Sequence, residues 1–354
     1  MSPVDQADLR ARVEQALGAF LAQQRTLLAG IDPALLPVAT AIEAFVMGGG
    51  KRLRPAFAYW GFRGAGGEDC AEVTSAVAAL EFVQASALIH DDVMDASDTR
   101  RGEPAVHKRF SGMHGAQGWE GDPDMFGAGA AILLGDLCLS WSDELLRSSG
   151  LDVAAVMRAR PVFDLMRTEV IAGQYLDIHA QVTRDSSLHR ASTVARYKSA
   201  KYTVERPLLI GAAIADATAE VRTAYSGYGL PVGEAFQLRD DVLGVFGDPI
   251  RTGKPAGDDL REGKRTYLIA AAFDTADPRT AERLTRGLGD PRLDEAGVAE
   301  LREIIVTTGA LKRTEQRIAD LTEAGLTALT AVGLADGAGE MLTDLALAAT
   351  RRLE

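Results

Sequence analysis

The 354-residue chain has few cysteines and no long uncharged run. Its two cysteines, Cys70 and Cys138, cannot build a disulfide framework and fit a reducing cytosol. Uncharged stretches such as Met125 to Gly135 are far shorter than the ~18 apolar residues of a membrane span. The first residues have no basic start followed by an apolar segment, as a secretory signal would. These absences predict a cytoplasmic protein with no membrane span.

Basic residues are fewer than acidic residues. Lys and Arg number 38 against 50 Asp and Glu, which leaves a net charge of −12. Nucleic-acid binding usually requires a basic face, so this balance argues against a nucleic-acid partner. With 47% hydrophobic and 25% charged residues, the composition is still that of a globular protein. The position of the carboxylates therefore becomes the main question.

Strand signals are scarce, because alternating runs rich in Val, Ile and Thr are hard to find. Apolar residues instead recur at spacings of three and four, which is typical of amphipathic helices. The spacing predicts helices over 5–29, 33–47, 71–95, 130–149, 151–181, 187–217, 218–244, 263–276, 294–333 and 338–353. Two segments rich in Gly or Pro, 111–129 and 247–263, are predicted as loops. No linker divides the chain, so residues 1–354 are predicted to form one all-α domain.

Two aspartate clusters follow strongly apolar helical stretches. In the first cluster, Asp91 and Asp95 are four residues apart and lie on one helix face, where two like charges repel. A hard divalent cation offsets this repulsion, and Mg²⁺ commonly takes one or two carboxylates together with substrate phosphates. The second cluster ends in Asp240 and Asp241. Either cluster alone fits a solvated helix end, but the two together favour a metal site.

The pair His90-Asp91 also raises the possibility of a metal-dependent phosphohydrolase. That chemistry needs further histidine ligands, and the chain has only five histidines, none of them paired at the helical spacing of a zinc site. This alternative is rejected.

Cations follow glycine turns or the aspartate clusters at several points. Gly48-Gly49-Gly50 precedes Lys51 and Arg54, although the spacing is not that of a P-loop. A lysine offers a point charge and an arginine a planar fork, both suited to phosphate. Each cation alone is more often solvated. Together, in an acidic chain, they indicate an anion site beside the carboxylates.

At this point the chain resembles the trans-isoprenyl diphosphate synthases, the polyprenyl synthetase family, over nearly its whole length. The resemblance rests on an ordered set of motifs: Gly49-Lys51-Arg54, Asp91-Asp92-x-x-Asp95, Arg100-Arg101-Gly102, Gly173-Gln174-x-x-Asp177, Lys198-Ser199, Phe236-Gln237-x-x-Asp240-Asp241, Gly253-Lys254 and Gly263-Lys264. It implies a helical bundle around a deep central cavity, usually a homodimer, with the helices of 1–47 used for packing or on the dimer side. It also implies an enzyme that joins isopentenyl diphosphate to an allylic diphosphate.

The resemblance implies a role for each motif. About three Mg²⁺ ions would be held by Asp91, Asp95 and Asp240, with Asp92 and Asp241 in support. The allylic diphosphate would meet a pocket completed by Arg100, Lys198, Ser199, Gln237, Lys254 and Lys264. The second diphosphate would be held by Lys51, Arg54, Gln84 and Arg101. As catalytic residues we expect Asp91, Asp92, Asp95, Asp240, Asp241, Lys198 and Lys254.

Three residues depart from the family pattern. Gly244 stands at the last position of the second Asp-Asp-x-x-Asp, and Asp248, one turn on, is a candidate substitute. Gln84 stands where many bacterial members have His, and Ser199 where Thr is usual. No primary metal ligand is lost, so we expect activity.

Product length should depend on the helix face that runs from Asp91 towards the N-terminus. In the family, a large aromatic residue four or five positions before the first aspartate closes the pocket at C15; here these positions are Ala87 and Ser86. We expect C15 to be passed and C20, geranylgeranyl diphosphate, to be the main product, with Leu80, Val83 or a neighbouring helix as the floor. Alternatively, the small residues only allow close helix packing.

Other functions stay open at this point. The product could be C15, or C25 and longer. A class I terpene cyclase shares the fold, but its second metal motif has an Asn/Ser/Glu pattern where this chain has Asp240-Asp241. A non-catalytic regulatory subunit of a synthase should have lost motif aspartates or lysines, and this chain lacks only the aspartate at 244.

Overall fold

The computed structural model describes residues 3–247, 257–290 and 292–351. Nearly all of its regular structure is helical, which confirms the all-α prediction. In chain order the α-helices are α1 (Pro3–Ile31), α2 (Leu36–Met47), α3 (Leu53–Gly64), α4 (Ala71–Met94), α5 (Val106–Gln117), α6 (Pro123–Arg147), α7 (Val153–Thr183), α8 (Leu188–Val194), α9 (Arg206–Ile214), α10 (Ala219–Phe246), α11 (Asp258–Glu262), α12 (Tyr267–Thr275), α13 (Pro278–Gly287), α14 (Glu295–Thr307), α15 (Ala310–Leu329) and α16 (Ala338–Thr350). A π-helical segment, Ala195–Glu205, joins α8 to α9.

Four helices lie outside the predicted helical ranges: α3, α5, α11 and α13. Helix α3 contains Gly61, and glycine weakens a helix pattern. The glycine is there because α3 lies very close to α9: a Cβ on Gly61 would be 2.5 Å from the backbone oxygen of Leu208. On the facing helix, a Cβ on Gly211 would be 1.9 Å from the oxygen of Ala58. The glycines thus permit close packing of two helices.

The loop predicted over 111–129 is wrong. Helix α5 continues to Gln117 and α6 begins at Pro123, so only 118–122 connects them. Gly118 has a positive φ of 64° and ends α5, while the Asp122 side chain caps α6. A Cβ on Gly127 would lie 2.2 Å from the His107 oxygen, so this glycine marks contact between α5 and α6. High glycine content here reflects close helix packing more than a long loop.

The second predicted loop, 247–263, is partly helical, since α11 occupies 258–262. Residues 248–256 of that segment lie outside the described residues.

One small β-hairpin interrupts the helices after α4. Strands β1 (Thr99–Arg100) and β2 (Glu103–Pro104) pair antiparallel around Arg101 and Gly102. Both turn residues have positive φ, 56° and 80°, as a tight primed turn requires. No other strand pair occurs in the described part of the chain. The hairpin places two arginines next to the end of α4.

The hydrophobic core has two parts. The larger part joins α1, α3, α4, α6, α7 and α9, with α4 in its centre. Val13 and Leu17 of α1 are fully buried there. The smaller part joins α10 with α12, α14 and α15. Helix α4 belongs to the larger part, whereas α10 contributes to both: Tyr225 and Tyr228 to the larger part, and the last turns, which carry the second aspartate cluster, to the smaller.

Two helices are long and apolar enough, by length and composition, to cross a membrane: α4 and α6, with mean hydropathy 1.3 and 1.4. A search for uncharged runs in the sequence does not find these two helices, because the most apolar 18-residue window of each contains one or two charged residues. In the structure, 72% of the α4 window is buried, but only 39% of the α6 window. Helix α4 is therefore a core helix, and α6 leaves an apolar face uncovered.

Candidate active site

A cavity of about 1180 Å³ brings most of the predicted site residues together. It lies between α4, the β-hairpin, the π-helical segment and α10. The predicted residues that line it are Lys51, Arg54, Gln84, Asp91, Arg100, Arg101, Lys198, Gln237, Asp240, Asp241 and Lys264. The implied central cavity and both aspartate helices are thus present in one site.

The other predicted residues lie elsewhere. Asp92, Asp95 and Ser199 are buried or nearly buried beside the cavity and do not line it. Lys254 and Asp248 fall outside the described residues. The four positions of the predicted chain-length face lie along α4 and also do not line the cavity: Leu80, Val83, Ser86 and Ala87.

Asp91 is held on the first wall by three neighbouring side chains. Its Oδ1 accepts hydrogen bonds from Gln174 Nε2 at 2.7 Å and from Lys198 Nζ at 3.2 Å. Its Oδ2 is 3.8 Å from Arg100 Nη2. Burial alone would raise the pKa of Asp91, but Lys198, Lys264 and Arg100 together hold that pKa below its ordinary value. Asp91 is therefore held in its ionised form.

Asp95, one turn on, ends α4 and has a different environment. Burial, and then the charge of Asp91, raises the pKa of Asp95 to about 6. Its Oδ2 lies 3.4 Å from Lys264 Nζ. The charge of Asp91 is the second contribution, after burial, and it is the repulsion that the i, i+4 spacing predicts.

Asp92 points away from the cavity and is completely buried. Its Oδ1 accepts a hydrogen bond from Arg100 Nε at 2.9 Å. Arg100 Nη2 donates to the same oxygen, and the two hydrogen bonds fix the β-hairpin to the end of α4. Asp92 thus orients Arg100 at the cavity edge, while its expected support of the metal ions stays a prediction.

The second wall is the last turns of α10. Asp240 and Asp241 line the cavity together with Gln237, whose Nε2 donates to Asp241 Oδ1 at 2.7 Å. Burial raises the pKa of Asp241 to about 8; the Gln237 hydrogen bond opposes this, and the charges of Asp259 and Asp240 add to it. On this wall, as at Asp95, burial is the main cause of the raised pKa.

Lys198 reaches the first wall from the π-helical segment. Its Nζ donates to Asp177 Oδ2 at 2.7 Å as well as to Asp91. The segment lies very close to α7, since a Cβ on Gly173 would be 2.3 Å from the backbone nitrogen of Lys198. A π-helix is wider than an α-helix and commonly occurs at functional sites. Gly173 makes room for this wide segment and so allows Lys198 to reach the aspartate.

Arg54 is positioned by two residues that the sequence analysis does not identify. Its guanidinium lies 4.0 Å from the centre of the Tyr202 ring, and Nη2 donates to Thr203 Oγ1 at 2.8 Å. The buried Tyr202 hydroxyl also donates to Gln84 Oε1. Two consecutive residues of the π-helical segment therefore orient two of the predicted ligands of the second diphosphate.

The glycine-rich turn before α3 is fixed by a buried ion pair that was also not predicted. Arg52 has a positive φ of 50°, and its Nη1 donates to Glu81 Oε2 of α4 at 2.5 Å. Both side chains are less than a tenth exposed. Arg101 adds a hydrogen bond from Nη1 to the Gly49 oxygen at 3.0 Å. Motif spacing contains no signal for the Arg52–Glu81 pair, because its partners lie 29 positions apart.

The donor chemistry of the cavity fits Mg²⁺. In the described ranges, no three His, Cys, Asp or Glu side chains are grouped as a complete metal site. Mg²⁺ usually takes one or two carboxylates and completes its shell with water and substrate phosphates. The carboxylates that line the cavity from its two walls, Asp91 on the first and Asp240 and Asp241 on the second, match this requirement.

The fold and the cavity together define the class of the protein: an all-helical isoprenoid synthase. The model of the polyprenyl synthetase family matches residues 37–305, which is most of the chain. This chain belongs to the polyprenyl synthetase family, and it is a prenyltransferase.

Relatives with different names share its sequence and fold. A crystal structure of geranylgeranyl pyrophosphate synthase from Corynebacterium glutamicum, in complex with isoprenyl diphosphate and magnesium, is 44% identical with a TM-score of 0.94, over 97% of this chain and 98% of that one. The geranylfarnesyl diphosphate synthase of Aeropyrum pernix is 31% identical over 85% of this chain and 90% of its own length. A (2E,6E)-farnesyl diphosphate synthase of Mycobacterium bovis is 31% identical over 84% and 78%. The three names differ in product, so the comparisons establish the family and leave product length open.

Proposed function

We propose that this enzyme condenses isopentenyl diphosphate with an allylic diphosphate in the presence of Mg²⁺, and that its main product is the C20 trans-prenyl diphosphate, geranylgeranyl diphosphate. The observation that carries the proposal is the pairing of two aspartate walls with a separate cationic patch in one cavity. One diphosphate can bind to the aspartate walls through metal ions. A second diphosphate can bind directly to the positive charges of Lys51 and Arg54. The reaction brings two diphosphates together.

In this proposal Asp91 and Asp95 hold Mg²⁺ from the first wall and Asp240 from the second, with about three ions in all. When bound, Mg²⁺ neutralises the negative charge that develops on the departing diphosphate. Lys198 and Lys264 add fixed positive charge to the same site, beside Asp91 and Asp95. Arg100 and Gln237, which line the cavity, bind the same diphosphate. Ser199, beside the cavity, and Lys254, outside the described residues, are assigned to it by the family resemblance alone.

The second diphosphate is held apart from the metals. Lys51, Arg54, Gln84 and Arg101 bind it, and Tyr202 stacks on Arg54 so that the guanidinium keeps its orientation. The double bond of isopentenyl diphosphate then attacks the allylic cation left when the C–O bond breaks. A new C–C bond forms, a proton is lost to the departing diphosphate, and no side chain is required as the base.

The C20 proposal rests on the α4 face next to Asp91. Ala87 is half-buried between the cavity-lining Gln84 and Asp91, and it is too small to close the path of a tail. One turn below Ser86, the Phe82 ring packs edge-on against Phe20 at 5.3 Å and Trp141 at 6.1 Å between ring centres. This aromatic cluster, with Leu80 and Val83 beside it, supports a floor several residues below Ala87. Because these side chains are tightly packed, tail growth requires local opening of this face.

The direct test is a turnover assay with labelled isopentenyl diphosphate and dimethylallyl, geranyl or farnesyl diphosphate as primer. We expect Mg²⁺-dependent condensation, with C20 as the major alcohol after dephosphorylation. An excess of EDTA should lower the rate by about 10²-fold or more, because the carboxylates would be left unneutralised. EDTA already saturated with Mg²⁺ is the control and should have no effect. Full turnover in free EDTA would contradict the metal-dependent proposal. A major C15 or C25 product would contradict only the chain length, and a well-folded protein without turnover would favour the regulatory subunit.

We also propose that the enzyme is a homodimer. Helices α6 and α7 carry a row of exposed apolar side chains: Ile132, Leu133, Val153, Met157, Leu165, Ile171, Tyr175 and Val182. An exposed apolar surface of this extent is typical of an interface. Light scattering should give twice 37.6 kDa. The double variant Leu133→Arg/Ile171→Arg should be monomeric, whereas Val306→Arg, at an exposed apolar residue of α14, should stay dimeric. A monomeric wild type at micromolar concentration would refute the dimer.

A further inference from the structure

The second aspartate cluster lacks a side chain at its last position, and the structure has another carboxylate in that place. Gly244 lies four residues after Asp240 on α10, on the same helix face. A Cβ on Gly244 would lie 1.8 Å from Asp259 Oδ2 and 2.7 Å from Asp259 Cγ. The carboxylate of Asp259, from α11, therefore fills the space that a side chain at position 244 would occupy.

Asp259 is part of the same wall of the cavity as the α10 aspartates. It lines the cavity with Asp240 and Asp241, and its charge contributes to the raised pKa of Asp241. Its side chain is 15% exposed, and Oδ1 lies 3.4 Å from Lys264 Nζ. The same Nζ lies 3.4 Å from Asp95 Oδ2 on the first wall. Asp259 thus lies near the carboxylates of both walls.

We propose that Asp259 supplies the third carboxylate of the second cluster, in place of the missing side chain at 244, and acts on the metal ions held there directly or through their water ligands. This inference rests on the proposed function, since it concerns the same metal site. The glycine is then a requirement of the arrangement: any side chain at 244 would push the Asp259 carboxylate out of position.

A purely structural role for Asp259 predicts something different. In that case it would only neutralise Lys264 and contribute to the short helix α11. Removing its charge would then affect stability and leave metal binding unchanged. A substitution at Gly244 that leaves Asp259 intact would not change metal binding either.

The test measures Mn²⁺ binding by electron paramagnetic resonance, with inorganic pyrophosphate as the second probe and no turnover involved. We expect wild type to bind Mn²⁺ more tightly when pyrophosphate is present. Asp259→Asn should weaken this pyrophosphate-dependent binding by about 10- to 100-fold, the usual cost of losing a metal-site carboxylate or its supporting partner. Asp344→Asn, at an exposed aspartate of α16, makes the same charge change away from the cavity and should bind like wild type.

Two variants at position 244 make the test specific. Gly244→Ala removes no charge and improves helix propensity, so its thermal unfolding midpoint should not fall, yet its Mn²⁺ binding should weaken about 10-fold or more because the methyl displaces Asp259. In Gly244→Asp/Asp259→Ala the carboxylate returns to α10 and the space that Asp259 occupied is free for it, so binding should recover to within a few-fold of wild type.

The outcomes separate this inference from the proposed function. If wild type shows no pyrophosphate-dependent Mn²⁺ binding, the proposed function fails. If wild type binds but Asp259→Asn and Gly244→Ala bind equally well, the role of Asp259 is refuted. Should Asp259→Asn not fold, Gly244→Ala decides alone.

Discussion

Replacing Asp91 by asparagine is expected to lower kcat by about 10³-fold or more, because this residue is the best placed of the first-wall carboxylates to bind a metal ion. It lines the cavity, and Lys198, Lys264 and Arg100 hold its pKa below the ordinary value, so it is ionised. Asparagine keeps the shape of the side chain and its place beside Gln174 but removes the charge. The measurement is steady-state condensation of labelled isopentenyl diphosphate.

The matched control for Asp91→Asn is Asp136→Asn on α6, at a carboxylate that is 62% exposed. It should retain wild-type turnover, and both variants should keep the circular dichroism spectrum of a helical protein. An Asp91→Asn enzyme with more than a tenth of wild-type kcat would contradict the assignment of the first wall as a metal site.

Replacing Ala87 by phenylalanine is expected to change the main product from C20 to C15. The ring would stand between Gln84 and Asp91, where the tail must leave the cavity. Adding one more five-carbon unit buries about five carbons, worth ~4 kcal/mol at ~0.8 kcal/mol per CH₂. Denying that burial corresponds to roughly a 10²- to 10³-fold change in the ratio of the two products. Chromatography of the dephosphorylated alcohols measures the ratio.

The control for Ala87→Phe is Ala87→Ser, which adds little volume and should keep C20 as the main product. Total turnover to any product should stay within about 10-fold in both variants, because the metal and diphosphate groups are untouched. A wild type that stops at C15, or a phenylalanine variant with unchanged products, would show that this face does not set the length.

Local sequence patterns predicted the parts of the site that one helix builds alone. The i, i+4 spacing of Asp91 and Asp95 already implies two repelling carboxylates on one face, and the pKa of Asp95, raised to about 6, agrees with that expectation. The motif order that resembles the polyprenyl synthetases added the second wall and the cationic patch. Eleven of the predicted site residues line the cavity.

Residues that position those groups were not predictable in the same way. Thr203 holds Arg54 across 149 positions of sequence, and Tyr202 holds Gln84 across 118. Such pairs have no spacing rule, since folding alone determines which distant residues meet. The glycines of 111–129 did give a local signal, but it predicted the wrong structure. They were interpreted as a loop, although Gly127 lies at a contact between two helices.

By itself the sequence determined the helical class, the family and the set of candidate site residues, because helix periodicity and motif order depend on residues close together in the chain. Only the tertiary structure decided how these residues are used. It turns Asp92 away from the cavity towards Arg100, and it brings Asp259 into the space left by Gly244. These choices depend on which helices pack against each other, and that is settled by burial and close contact across the whole chain.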